Sequence, residues 1–115
     1  MCSSDLEQYK NEVREYYKTC VITGRSNIIC EIAHIFPFAE SDAEDKYNPF
    51  NGLLLCRDLH CLFDKKLITI NPENFELTLE NEILLDKSLE VYHQYHKKIL
   101  NIRPESKYYF IKLYN

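Results

Sequence analysis

Two short apolar runs constrain the fold of this chain more than any other feature. Ile28 to Ile35 is rich in β-branched residues and stops before Pro37, so it reads as a strand. Leu53, Leu54 and Leu55 make a second, shorter run of buried-strand character. Between them, Phe38 to Pro49 is polar and acidic, with Glu40, Asp42, Glu44 and Asp45, and reads as a loop. The second run passes into Cys56 to Phe63, where Leu59, Leu62 and Phe63 supply the apolar contacts of a short helix. The central unit is strand, long loop, strand, short helix, and the fold class is α+β.

Flanking segments have their own signals. Ser4, Asp5, Leu6 and Glu7 fit a capping box. Leu6, Tyr9, Val13, Tyr16 and Cys20 then recur at helical spacing, which predicts an amphipathic helix from about Asp5 to Lys18. Leu67 to Ile70 and Phe75 to Leu79 read as two strands, and the turn chemistry of Asn71, Pro72 and Asn74 makes them a hairpin. Leu85, Leu89, Tyr92, His96 and Ile99 predict a second amphipathic helix, broken by Pro104. Glu105 to Tyr114 reads as a final short helix.

Composition narrows the classes. The 115 residues suit a single domain over 1–115 with a modest core. At 45% hydrophobic and 28% charged residues the chain is globular rather than disordered, and two Gly and four Pro leave little room for linkers. No apolar run approaches the ~20 residues of a membrane span, and the N-terminus lacks a signal peptide's basic and apolar regions. An intracellular protein, not secreted and with no membrane partner, is expected. Five Cys is an odd number, and without a secretion signal it points to reduced thiols. The net charge of -4 argues against a protein that coats DNA, because phosphate neutralisation dominates such binding.

Chemistry concentrates in the central unit. His34 lies near the end of the first run, Asn51 opens the second, and His60 falls early in the short helix. A neutral imidazole is well suited to take a proton from water near neutral pH. An Asn amide can orient such a base or pin the loop that carries it. His60 and Asp64, four apart, share a helix face and can hold one divalent cation. Asp64 sits where the helix dipole disfavours an anion, so a functional role and a turn-capping role both suit it. Lys65 and Lys66 could offset the same dipole or touch a phosphate backbone. His93 and His96 read as packing residues of the late helix.

Cys20, Thr23 and Gly24 (C-x-x-T-G), Ala33 to Pro37 (A-H-I-x-P), Asn51 to Cys56 (N-G-L-x-L-C) and His60 to Asp64 (H-x-x-F-D) occur in that order. Together they resemble the HNH endonucleases, over a core of about 20–72. The resemblance implies a ββα-metal (His-Me finger) core, flanked here by N- and C-terminal helices and a hairpin. It implies a metal-dependent endonuclease that hydrolyses DNA, with His34 as general base, Asn51 as the residue that positions it, and His60 and Asp64 on the metal. Mg²⁺ or Mn²⁺ suits that mixed shell, and Zn²⁺ or Ni²⁺ serves some relatives.

Two departures from the family pattern stand out. Many HNH enzymes carry a metal-binding Asp or His immediately before the base, where this chain has Ala33. Asp42, Glu44 and Asp45 are candidates for a substitute ligand. Some relatives also bind structural zinc through two C-x-x-C pairs. Here each pair is halved, so Cys20, Cys30, Cys56 and Cys61 read as small packing residues rather than a four-cysteine zinc site. The competing functions are a catalytically weak or inactive nucleic-acid-binding or interaction module on the same fold, and a structural zinc protein. The chain could act alone or as a homodimer.

Overall fold

A computed structural model describes residues 3–115, with side chains from residue 4 onward. Helix α1 spans Ser3–Tyr17. It starts ahead of the expected capping Ser4, which lies inside the first turn. Tyr9 and Val13, four residues apart on one face, are fully buried. The helix ends where Lys18 turns left-handed, at φ 67°.

Strands β1 (Cys30–His34) and β2 (Gly52–Cys56) pair antiparallel, with Cys30 opposite Cys56 and His34 opposite Gly52. The first strand begins two residues later than its β-branched run. The Ser26 hydroxyl accepts from the Ile28 amide and caps a 3-10 turn over Asn27–Ile29, which competes with extended backbone. Every residue of β2 is buried, as its unbroken leucines require. Helix α3 (Arg57–Asp64) follows β2 without a linker. The order strand, connection, strand, helix is the one expected.

The connection between the strands is more regular than a loop. It contains α2 (Ala43–Lys46) and 3-10 turns over Phe38–Glu40 and Pro49–Asn51. Its polar residues are local caps: the Asp42 carboxylate accepts from the Asp45 amide and the Asn48 side chain from the Phe50 amide.

The expected hairpin forms from β3 (Ile68–Ile70) and β4 (Leu77–Leu79), with Asn71 and Asn74 side chains accepting from backbone amides in the turn. The long helix expected through Leu85 to Ile99 does not form. In its place stand α4 (Asn81–Leu84) and a 3-10 stretch over Lys87–Tyr95 that is non-helical at Leu89. The reason lies in β4, whose outer edge needs partners. Lys97 and Leu100 donate to the Leu77 and Phe75 carbonyls, and Leu77 donates to Lys98. The Leu79 amide donates to His96 Nδ1, and the Ile83 carbonyl lies 2.7 Å from His93 Nε2. Helix α5 (Lys107–Leu113) closes the chain, preceded by a 3-10 turn at Pro104.

Helices α1 and α3 both pack on the β1–β2 ribbon, and one core joins it to β3, β4 and α5. The approach of α1 is close. A Cβ at Gly52 would lie 2.7 Å from the Tyr9 hydroxyl oxygen and 2.8 Å from Val13 Cγ2, so only glycine fits. Among the described residues no helix is long and apolar enough to cross a membrane.

Candidate active site

A cleft of about 540 Å³ opens where β1, α3, β3 and the end of α5 meet. Ile32, Ile35, Phe63 and Ile68 give it apolar walls, and His34, His60, Asp64 and Lys66 bring polar groups to it. Three of the four residues singled out from the sequence therefore face one space.

His34, the last residue of β1, is held on three sides. Its ring stacks on Tyr9, with centroids 4.6 Å apart, and meets Phe38 edge-on at 5.2 Å. Its Nε2 lies 2.7 Å from the Lys46 carbonyl oxygen. A carbonyl only accepts, so Nε2 carries the proton and the neutral ring keeps its lone pair on Nδ1. Burial holds the imidazole below the usual histidine range, reinforced by His60 and Lys10 and opposed by the Lys46 carbonyl. The ring is thereby kept in its basic, unprotonated form.

Asn51 does not reach the cleft. It is fully buried behind the connecting segment. Its Oδ1 accepts from the Phe36 amide at 2.8 Å, and its Nδ2 donates to the carbonyls of Phe36 and Asp45. Its own carbonyl accepts from the Tyr9 hydroxyl at 2.7 Å. Lys46, whose carbonyl fixes His34, follows Asp45 directly. Asn51 is thus bonded directly to Tyr9, to the residue before Lys46, and to Phe36, two residues before Phe38.

On α3, His60 stands between two carboxylates. Nδ1 is 2.8 Å from Glu31 Oε1 on β1, and Nε2 is 3.2 Å from Asp64 Oδ2 one helical turn on. Arg57 Nε approaches the other Glu31 oxygen at 3.4 Å. With Nδ1–H donated to Glu31, the Nε2 lone pair and the Asp64 carboxylate face each other as two acceptors. A proton or a cation between them removes the repulsion. Adjacent ligands of an octahedral ion with ~2.1 Å bonds lie ~3.0 Å apart, so this pair fits one edge of a metal shell.

The remaining ligand candidates lie elsewhere. Asp42 caps α2, Glu44 is exposed, and Asp45 is buried against the Tyr109 hydroxyl (2.7 Å) and Lys112 Nζ (3.1 Å). Those partners hold the Asp45 carboxyl below the usual range, the Tyr109 bond foremost. None of the three lines the cleft. Ala33 is fully buried opposite Leu53 and offers no ligand.

Sequence reasoning missed Glu31, whose β1 position faces α3 only once the two elements pack. It also missed Tyr9. That residue belongs to the apolar stripe of α1, and nothing in the stripe marks a ring that supports an imidazole. Nor was the grouping of Cys20, Cys30 and Cys56 expected: their sulfurs lie within 4.8 Å of one another, and all are free thiols. Only Cys61, which is exposed, stands apart among the described cysteines.

Comparison with known proteins agrees with this architecture. Residues 20–71 match the family described as HNH endonuclease. No curated protein matches the chain. Among solved structures, a modification-dependent TagI restriction endonuclease is similar at a TM-score of 0.56 and 18% identity, over 94% of this chain. This chain spans 38% of that protein's length, and the likeness is one of fold.

Proposed function

We propose that this chain is a metal-dependent endonuclease that hydrolyses DNA phosphodiester bonds from the cleft between His34 and His60, with 1–115 acting as one HNH nuclease domain. The observation that carries the reading is the pair of oppositely set tautomers. The Lys46 carbonyl leaves His34 basic at Nδ1, and Glu31 leaves His60 basic at Nε2, beside Asp64. One ring is arranged to take a proton and the other to hold a cation.

His60 Nε2 and Asp64 would bind the divalent cation, with water completing its shell; Mg²⁺ or Mn²⁺ suits these donors. When bound, it supplies positive charge to a phosphate oxygen and to the departing 3′ oxygen. His34 Nδ1 accepts a proton from the attacking water, and the bond to phosphorus forms as the 3′ oxygen leaves, giving a 5′ phosphate. Tyr9 and Phe38 hold the ring in place while its charge changes. Lys66, at the edge of the cleft, offers a cation for a flanking phosphate.

Ala33 favours one other reading, a nucleic-acid-binding module with little turnover, because only two protein ligands line the cleft. Plasmid nicking with Mg²⁺ or Mn²⁺ separates the two. Cleavage by the wild type and its loss in His34→Ala supports the nuclease, whereas equal cleavage by both rejects His34 as the base. DNA retention without metal-dependent nicking supports the binding module.

A further inference from the structure

The three convergent thiols are not used by the proposed reaction. Cys30 and Cys56 are register partners on β1 and β2, with sulfurs 4.0 Å apart. Cys20 reaches them from the turn after α1. That turn has the form of a ligand knuckle: Gly24 is left-handed at φ 77° and its amide donates to the Cys20 carbonyl. The Thr23 amide points at Cys20 Sγ at 3.5 Å, and the Thr23 hydroxyl lies 3.6 Å from Cys56 Sγ.

These spacings match a coordination shell. Four ligands around a cation with ~2.3 Å bonds to sulfur put neighbouring sulfurs ~3.8 Å apart. The Cys30–Cys56 spacing is already close to that value, and Cys20 needs only a small inward movement. Thr23 stands where a C-x-x-C pair would place its second cysteine, and it presents an oxygen to the cluster. Cys20 and Cys56 are buried and Cys30 half-buried, which leaves an entry path.

We propose that Cys20, Cys30 and Cys56 form a three-thiolate site for one thiophilic d¹⁰ cation, zinc or cadmium in chemistry, with the Thr23 hydroxyl at the fourth position. The site differs from a four-cysteine zinc site in drawing a single cysteine from each halved C-x-x-C pair and its third from the start of β1. It is separate from the imidazole–carboxylate cleft, whose donors include no sulfur.

Cadmium titration of the reduced full chain tests the site, because sulfur-to-cadmium charge transfer in the near ultraviolet reports thiolates alone. The expected result is a band that saturates at one equivalent, with a parallel rise in melting temperature. Cys61→Ser should leave both unchanged. Cys30→Ser, a small change at a half-buried position, should cut the band to about two-thirds and weaken affinity at least about tenfold. Thr23→Val should keep the band and weaken affinity. A band that Cys30→Ser leaves intact, or no band in protein whose thiols are titratable, overturns the proposal. So does intact mass showing Cys30 and Cys56 already oxidised to a disulfide after purification without added oxidant.

Discussion

His60 donates its Nδ1 proton to Glu31 across the junction of β1 and α3, at 2.8 Å. The bond ties a helix residue to a strand residue 29 positions earlier and selects which ring nitrogen faces Asp64. A carboxylate behind a metal-binding imidazole raises its basicity and fixes its orientation. Glu31 is therefore a positioning residue for the proposed metal site.

Glu31→Gln keeps an oxygen that can accept from Nδ1 but removes its charge. The concentration of Mn²⁺ needed for half-maximal nicking should rise about 10- to 100-fold, with cleavage at saturating metal largely retained. An unchanged metal requirement would show that the Glu31 bond is packing detail.

The pH dependence follows from His34. Its folded pKa lies below the ordinary histidine value of about 6.5 because the ring is buried, with His60 and Lys10 adding to the effect. The base form therefore persists below pH 6.5, and the acid limb of kcat/KM at saturating metal should have its midpoint there. Stability takes the same sign. Between the folded and unfolded values the unfolded chain binds more protons, so this contribution is complete above about pH 6.5 and is lost as pH falls through the folded value. Urea midpoints measured across that window should fall less steeply toward acid in His34→Asn. An acid limb centred above 6.5 would contradict burial as the dominant influence.

Lys66 combines strain with position. It lines the cleft and adopts φ 62°, a left-handed conformation that costs a non-glycine residue ~1–2 kcal/mol. Its amide closes α3 by donating to the Phe63 carbonyl. Lys66→Gly should leave stability unchanged or raise it by up to about 1 kcal/mol in urea titrations. The same variant should bind DNA more weakly, with the salt slope reduced by about one phosphate contact. Stability and activity falling together would assign Lys66 to the fold alone.

Gly52 carries the approach of α1 to the sheet. Gly52→Ala must displace the Tyr9 hydroxyl or Val13, costing about 1–3 kcal/mol as overpacking. Because Tyr9 stacks on His34, nicking should fall further than the loss of folded protein accounts for. Comparing urea midpoints with single-turnover rates separates the two. Full activity per folded molecule would show that the Tyr9 stack does not position the base.

The sequence made the central unit readable because its signals are local: a β-branched run, a leucine run that must be buried, and a helix beginning where the second run ends. His34, His60 and Asp64 carry no such local mark: each alone reads as well as a packing or capping residue, and only the ordered motifs that resemble the HNH endonucleases single them out. The late helix misled because a 4, 3, 4, 3 apolar spacing registers burial but not the unpaired edge of β4, which draws Lys97 to Leu100 into backbone pairing. Glu31 escaped because its partner His60 lies 29 positions away and meets it only through helix packing, and the thiols because Cys30 and Cys56, 26 positions apart, meet only through strand register. The acidic segment looked like a solvated loop, yet its carboxylates and amides cap short helices inside it.

Asn51 tests whether that segment positions the base. Asn51→Ala removes three side-chain bonds and strands the Phe36 amide, at a cost of about 2–5 kcal/mol. Asn51→Asp keeps the acceptor for Phe36 but turns a carboxylate toward two carbonyl oxygens in a fully buried place, so it should cost more. In the fraction of Asn51→Ala that folds, the Lys46 carbonyl loses its anchor through Asp45 and His34 loses its fixed tautomer. The rate at saturating metal should therefore drop by about 10²-fold or more, as expected when a general base is mispositioned. The Mn²⁺ requirement should stay unchanged, because Glu31, His60 and Asp64 make no contact with Asn51. This is the reverse of the pattern expected for Glu31→Gln, so the two variants together separate the base from the metal site. A rise in metal requirement in Asn51→Ala, with the saturated rate intact, would mean that the two halves of the cleft are not supported independently.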